Sequence, residues 1–250
     1  MASSFVTLWD QAVDSWDDFL ETGKDVLKDL VIAPATLELI SPASSPDQKA
    51  LDLCCGEGYY SRKLKAFGYD TYGVDISERM IDLARRKAKD ITYFCSDGAE
   101  LSMFADRSID LALCGMALMD APNWEEIVCE VYRILKPDGQ FIFSILHPCF
   151  SFVKGGWHCD ENGNKLHFKM DNYFVEGEAI WEWNMPTLKY PFQTKVYHWT
   201  LSTYYNAVVS TGFTIEKLVE PHLASDVEDE QIMDSRRVAY FLILKCRKRR

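Results

Sequence analysis

Three aspartates sit in three apolar runs: Asp52 in "KALDLCC", Asp75 in "DTYGVDI" and Asp97 in "ITYFCSD". Asp52 is followed by Gly56 and Gly58, whose missing side chains allow positive φ and bring bare backbone close to a ligand. Asp75 lies 17 residues beyond Gly58, a position from which a carboxylate accepts both ribose hydroxyls of an adenosine. Asp97 can take the exocyclic amine of an adenine, while Gly98 and Ala99 present backbone groups to the ring. Three carboxylates around one mouth repel a pyrophosphate and favour a ligand bearing an ammonium and a sulfonium. Taken singly, Asp52 reads equally well as a turn cap and Asp75 as a helix cap; taken together they read as a cofactor site.

Strands alternating with helices must hold these groups. The helix "YYSRKLKAF" follows the glycines and stops at Gly68, and Ser77 caps the helix "ERMIDLARRKAK". The strands "IDLALCGM" and "QFIFSIL" flank the helix "WEEIVCEVYRIL", which ends at the stop and turn "KPDG". This alternation implies a parallel sheet with right-handed crossovers, and ligands bind beyond its carboxyl edge, at the first strand-to-helix turn. Residues 147–200 break the pattern. They hold four of the seven tryptophans among Gly, Asn and Pro, too apolar for a disordered linker and too long for an ordinary loop. The pattern resumes with the helix "LSTYYNAVVST", the strand "TIEKLVEP", an acidic loop through Asp234 and the strand "RRVAYFLILKC". The division expected is an N-terminal helical lid over 1–45, a cofactor-binding core over 46–146, an insertion or substrate cap over 147–200, and the rest of the core sheet over 201–250.

The segments "LDLCCGEG", "VDIS", "CSDGAEL", "IDLALCGMALMD" and "ILKPDGQFIFS" resemble, in order and spacing, the motifs of class I S-adenosylmethionine-dependent methyltransferases. The resemblance covers about residues 48–146. It implies a Rossmann-like α/β fold: a seven-stranded, mostly parallel sheet in order 3-2-1-4-5-7-6, helices on both faces, and segments 214–221 and 236–246 as the last two strands. It also implies that Asp52 and the Gly56–Gly58 turn hold the methionine end of S-adenosyl-L-methionine, Asp75 the ribose, and Asp97 with Gly98 and Ala99 the adenine. Cys114 and Met116 would border the sulfonium, with Ile76 and Met80 packed on adenine or ribose. The family usually has glycine where Cys54 stands; a thiol is small enough for the turn to survive.

The expected reaction is methyl transfer to an oxygen or nitrogen of a small molecule. The donor is already activated, so alignment of the nucleophile and exclusion of water dominate. His147, directly after the fifth strand, and His198, at the end of the insertion, are the candidate bases, each with packing as its alternative role. Trp16, Tyr173, Trp181 and Trp183 are the candidate acceptor walls, with Trp9 and Trp16 joining the insertion in a lid. A nicotinamide-dependent oxidoreductase would use Asp75 equally well, but it needs a third glycine where Ser61 stands. A protein or RNA methyltransferase, or a non-catalytic cofactor-binding module, remains the alternative.

Composition narrows the partners. The net charge is −11, and five positive charges in the last six residues, "KCRKRR", leave −16 on the remainder, which disfavours nucleic acid as substrate. That basic end reads as a solvated terminus. His147, Cys149, His158 and Cys159 lack the tight paired spacing of a structural zinc site, so no metal is expected. The eight cysteines read as reduced thiols. With neither a leader-like N-terminus nor an 18-residue apolar run, the expectation is a cytoplasmic protein making no membrane contact.

Overall fold

The computed structural model describes residues 4–23, 25–150, 153–223 and 227–249. The chain opens with helix α1 (Ser4–Glu21) and a π-helical turn (Lys28–Ile32) that runs into α2 (Ala33–Leu37). The alternating core follows as β1 (Lys49–Leu53), α3 (Tyr59–Ala66), β2 (Asp70–Asp75), α4 (Glu78–Lys87), β3 (Thr92–Cys95), β4 (Ile109–Gly115), α5 (Trp124–Ile134) and β5 (Leu135–Leu146). Two hairpins come next, β6 (Gly155–Cys159) with β7 (Lys165–Met170) and β8 (Gly177–Trp183) with β9 (Phe192–His198). The chain closes with α6 (Leu201–Thr211), β10 (Phe213–Val219), α7 (Glu230–Ser235) and β11 (Phe241–Lys248).

Seven strands form one sheet in the order β10-β11-β5-β4-β1-β2-β3, with β11 antiparallel to both neighbours, as expected for a Rossmann-like methyltransferase fold. β1 is central, and Asp52 lies opposite Gly73 of β2 and Leu113 of β4. Leu51, Leu53, Ile109, Leu113, Phe141 and Phe143 are fully buried, because helices cover both faces and the inner strands are therefore continuously apolar. Ser77 caps α4 by accepting from the Met80 N–H at 3.2 Å.

Four expectations need correction. The helix before "KPDG" does stop, at Ile134, but these residues are not a separate turn: β5 begins at Leu135, and pairing with β4 resumes at Gln140 after they bulge out. The last strand starts at Phe241 rather than 236, and part of the acidic loop before it is α7, capped by the Asp229 carboxylate. The basic end is not a solvated terminus, since β11 runs through Lys248, whose ammonium is buried against the Leu135 carbonyl at 2.9 Å and also bonds that of Tyr132. A lysine at these C-terminal carbonyls of α5 satisfies acceptors that the helix leaves open and opposes its dipole. Finally, Arg247 pairs with Glu216 across β10–β11, so these charges are spent within the fold.

Candidate active site

β1 delivers its chain into a tight turn. Cys54 adopts φ 53°, Gly56 φ 52° and Gly58 φ 81°. At Gly58 a side chain is excluded twice, by the left-handed backbone and because a Cβ would lie 2.5 Å from the Tyr93 hydroxyl. At Gly56 a Cβ would meet nothing within 4 Å; the bare backbone faces open space. Cys54 is therefore a non-glycine residue in a glycine conformation, a strain of about 1–2 kcal/mol. The neighbouring Cys114 thiol, together with burial, raises its pKa well above that of an ordinary thiol.

The aspartates converge as their spacing predicts. Asp52 is buried and accepts from the Ser61 hydroxyl at 2.6 Å, which explains why serine occupies the place of a third glycine. Asp75 accepts from the Gly56 N–H at 2.8 Å through one oxygen and from the Ser77 N–H at 2.9 Å through the other. It thereby ties the glycine turn to the head of α4. Burial raises its pKa, against the pull of those two N–H donors. Asp97 accepts from the Ala99 N–H at 2.9 Å and from the Asn123 side-chain amide at 3.2 Å.

These groups line one cavity of about 670 Å³, within the range of small-molecule sites. Asp52, Cys54, Gly56, Asp75, Ile76, Met80, Asp97, Gly98 and Met116 reach its wall. Gly58, Ala99 and Cys114 do not: Gly58 opens α3, Ala99 supplies an N–H to Asp97, and Cys114 lies fully buried beneath Cys54. Trp16, Trp181 and Trp183 form the roof, Trp16 meeting Trp183 edge-on at 5.2 Å. Tyr173 is not on the wall. Its hydroxyl accepts from the Leu201 N–H at 2.8 Å and its carbonyl accepts from His198 Nε2 at 2.7 Å, so it fixes the base of the β8–β9 hairpin.

Neither candidate base reaches the cavity wall. His198 is buried and spends Nε2 on that carbonyl. His147 accepts from the Cys149 N–H through Nδ1 at 3.1 Å, which leaves Nε2 protonated and facing Glu220 at 2.9 Å. Burial lowers its pKa, while Glu220 raises it. Sequence reasoning also passed over Asp120, Asn123, Met185, Thr194, Tyr240 and Phe241, all on the wall. For Asp120 the signal existed: "GMALMD" places an acid just past an apolar strand, as at Asp75 and Asp97.

A charged clasp closes the site. Lys87 at the end of α4 pairs with Asp17, with Glu21 at 2.8 Å and with the buried Glu57 of the glycine turn at 3.1 Å. α1 is thus pinned to the loop beneath it. Ser15 and Tyr190 pin it to the segment between β8 and β9, through bonds of 2.7 and 3.2 Å. Replacing Lys87 by alanine is expected to cost about 1 kcal/mol in urea unfolding and to speed proteolysis within α1 several-fold. Unchanged proteolysis would mean that apolar packing alone holds the helix.

The comparisons with known proteins bear on the same region. Residues 51–143 match a family described as "Methyltransferase domain". The chain is 25% identical to an uncharacterized protein of Haemophilus influenzae over 89% of each chain. It is 35% identical to the demethylmenaquinone methyltransferase of Lactobacillus johnsonii, over 43% of this chain and 48% of that protein. Among solved structures it resembles a Listeria monocytogenes protein described as an S-adenosylmethionine-dependent methyltransferase (TM-score 0.74, 28% identity, covering 88% of this chain and 97% of that one). It also resembles an S-adenosylmethionine-dependent methyltransferase of Mesorhizobium loti (TM-score 0.70, 26% identity, 86% and 96%).

Proposed function

Because this chain is a class I S-adenosylmethionine-dependent methyltransferase with S-adenosylmethionine as its cofactor, we propose that it methylates an oxygen or nitrogen of a small-molecule acceptor held beneath the α1 and β8–β9 roof. The supporting observation is the cavity itself: the Gly56 turn, with Asp52 of β1 and Asp75 of β2 beside it, shares one space with Trp16, Trp181 and Trp183. A roofed chamber with aromatic walls suits a small acceptor better than a polymer.

The residues fit the cofactor chemically. The open backbone at Gly56 accommodates close approach, and the surrounding carboxylates match an ammonium and a sulfonium. Asp52 and the Gly56 turn would hold the methionine end, Asp75 the ribose and Asp97 the adenine. When bound, the cofactor supplies an activated methyl group with a neutral thioether as its leaving group. The protein's own contribution is orientation and dryness: Trp16 and Trp183 shut out water, and the wall fixes the acceptor for in-line approach.

Calorimetry with S-adenosylmethionine and S-adenosylhomocysteine, followed by detection of S-adenosylhomocysteine formation across a panel of small acceptors, tests this reading. Turnover on a protein or RNA substrate but on no small molecule would overturn it. Uptake of the cofactor without turnover on anything offered would favour a binding module.

Asp52 gives the binding a pH signature. Burial raises its pKa to about 8, with the Ser61 hydroxyl pulling the other way. The folded state therefore holds a proton that the unfolded chain releases near 3.8. This group's contribution to stability is fully present below that value and is lost as pH rises through about 8. A cationic ligand reverses the preference, so binding should expel the proton, and affinity should climb between about pH 6 and 8 by up to roughly tenfold per unit. Titrations in buffers of different ionisation enthalpy measure the proton released, and Asp52→Asn should flatten the slope. Binding that is independent of pH in the native protein would remove Asp52 from the methionine end.

A further inference from the structure

Past Gly115 the chain turns sharply at Met116, φ 55°, into a short 3-10 turn, Leu118–Asp120, packed against β5 and β9. Leu118 and Met119 enter the core, which leaves Asp120 on the cavity wall. Its position matters because the other acids of that wall already have partners. Asp52 has Ser61, Asp75 has two N–H groups, Asp97 has Ala99 and Asn123, Glu57 has Arg62 and Lys87, and Asp25 accepts from the Lys28 N–H at 3.0 Å. Among the described residues the Asp120 carboxyl makes no hydrogen bond and no ion pair, and burial alone drives its pKa well above the carboxylate range.

Its surroundings offer no cation. Lys28 is the basic side chain on the described wall, and it is engaged with Asp29 at 3.1 Å and with the Tyr59 ring at 4.7 Å. The neighbouring Tyr204 feels the Asp120 and Glu176 charges, and its buried hydroxyl has no partner. Glu176 is itself bound by the Thr200 N–H at 2.7 Å and by the Thr203 hydroxyl. A half-buried carboxyl that faces the cavity with all its acceptor sites free is disfavoured in its charged form until a ligand completes it. A ligand cation would supply both the missing charge and the missing donors, and Trp181 and Trp183 on the same wall add cation–π attraction.

We propose that Asp120 anchors the acceptor: its carboxylate receives the ammonium group of an arylalkylamine and takes a proton from it before methylation. This rests on the methyltransferase reading above and narrows its acceptor to an amine. One N–H bond breaks and its proton passes to an Asp120 oxygen. The freed nitrogen pair bonds the methyl carbon as that carbon's bond to sulfur breaks, its pair staying on sulfur. Asp120 then releases the proton to solvent.

The test uses the full chain saturated with S-adenosylhomocysteine. Benzylamine, phenethylamine and tryptamine are titrated beside their neutral isosteres benzyl alcohol, 2-phenylethanol and tryptophol. At least one amine should bind the native protein tenfold or more tightly than its alcohol. Asp120→Asn, which keeps the shape, should erase that preference. The variant's Kd for S-adenosylhomocysteine should stay within twofold, and its melting temperature should not fall, because no partner is lost. A preference that survives Asp120→Asn, or native protein that prefers no amine, overturns the proposal while the cofactor reading stands. Failure to take up S-adenosylhomocysteine at all overturns both.

Discussion

Asp75→Ala is expected to weaken S-adenosylmethionine binding at least 100-fold while leaving the fold standing. The carboxylate does two things that alanine cannot. It receives the Gly56 and Ser77 N–H groups, at 2.8 and 2.9 Å, and so sets the distance between the glycine turn and α4. Its remaining lone pairs are those that would receive the ribose hydroxyls. Each charge-assisted bond is worth roughly 1.5–3 kcal/mol, so losing two to the ligand accounts for about 3 kcal/mol or more, a factor of at least 100. Stability should respond far less, because the carboxyl is buried and its pKa is raised, which makes its charge a liability without ligand. Asp75→Asn sharpens the test: one oxygen still accepts, but the amide nitrogen faces an N–H donor, so binding should fall nearly as far. A Kd within threefold of the native value in both variants, measured by calorimetry, would remove Asp75 from the cofactor site.

The largest loss of stability is expected at Trp124. This ring opens α5, is only 2% exposed, and packs on Tyr204 at 4.7 Å and Trp199 at 6.4 Å. It is where α5, α6 and the end of the insertion meet. Truncation to alanine leaves a void that these rigid neighbours cannot fill, at a cost of about 3–5 kcal/mol. For a chain of this size that lowers the melting temperature by roughly 10 °C. Trp124→Phe, which keeps most of the volume, should recover more than half of the loss. Circular dichroism melts decide the matter; a fall of less than about 3 °C for the alanine variant would show that the insertion's end repacks freely.

The two variants probe opposite kinds of residue, and they differ in the same way in how legible they were. Asp75 was legible only in company: alone it reads equally well as a helix cap, but the strand-turn-helix pattern sets it beside the glycine turn and two further acids at one carboxyl edge. Trp124 read merely as the start of a helix, since nothing local records which rings α6 and the insertion will bring against it. His147 and His198 mark the limit of local reading. Each occupies a plausible place along the chain, yet each is drawn away from the cavity by a partner distant in sequence, Glu220 or Tyr173. Asp120 is the converse case. Its carboxyl stands on the cavity wall because the left-handed bend at Met116 carries the chain into that short turn.

By itself, the sequence determined the order of the alternating core, the glycine turn and the three acids around it. Those features depend on hydrophobic period, on backbone freedom and on which residue follows each strand, all of which are written locally. Only the tertiary structure decided that residues 147–200 form two hairpins, that β8–β9 is the one that meets α1 in the roof, and that the basic end is consumed in β11 and the C-terminal end of α5. The pairing of a strand, the partner of a buried charge and the direction a side chain faces are settled by contacts between segments far apart in the chain, where neighbouring residues carry no trace of them.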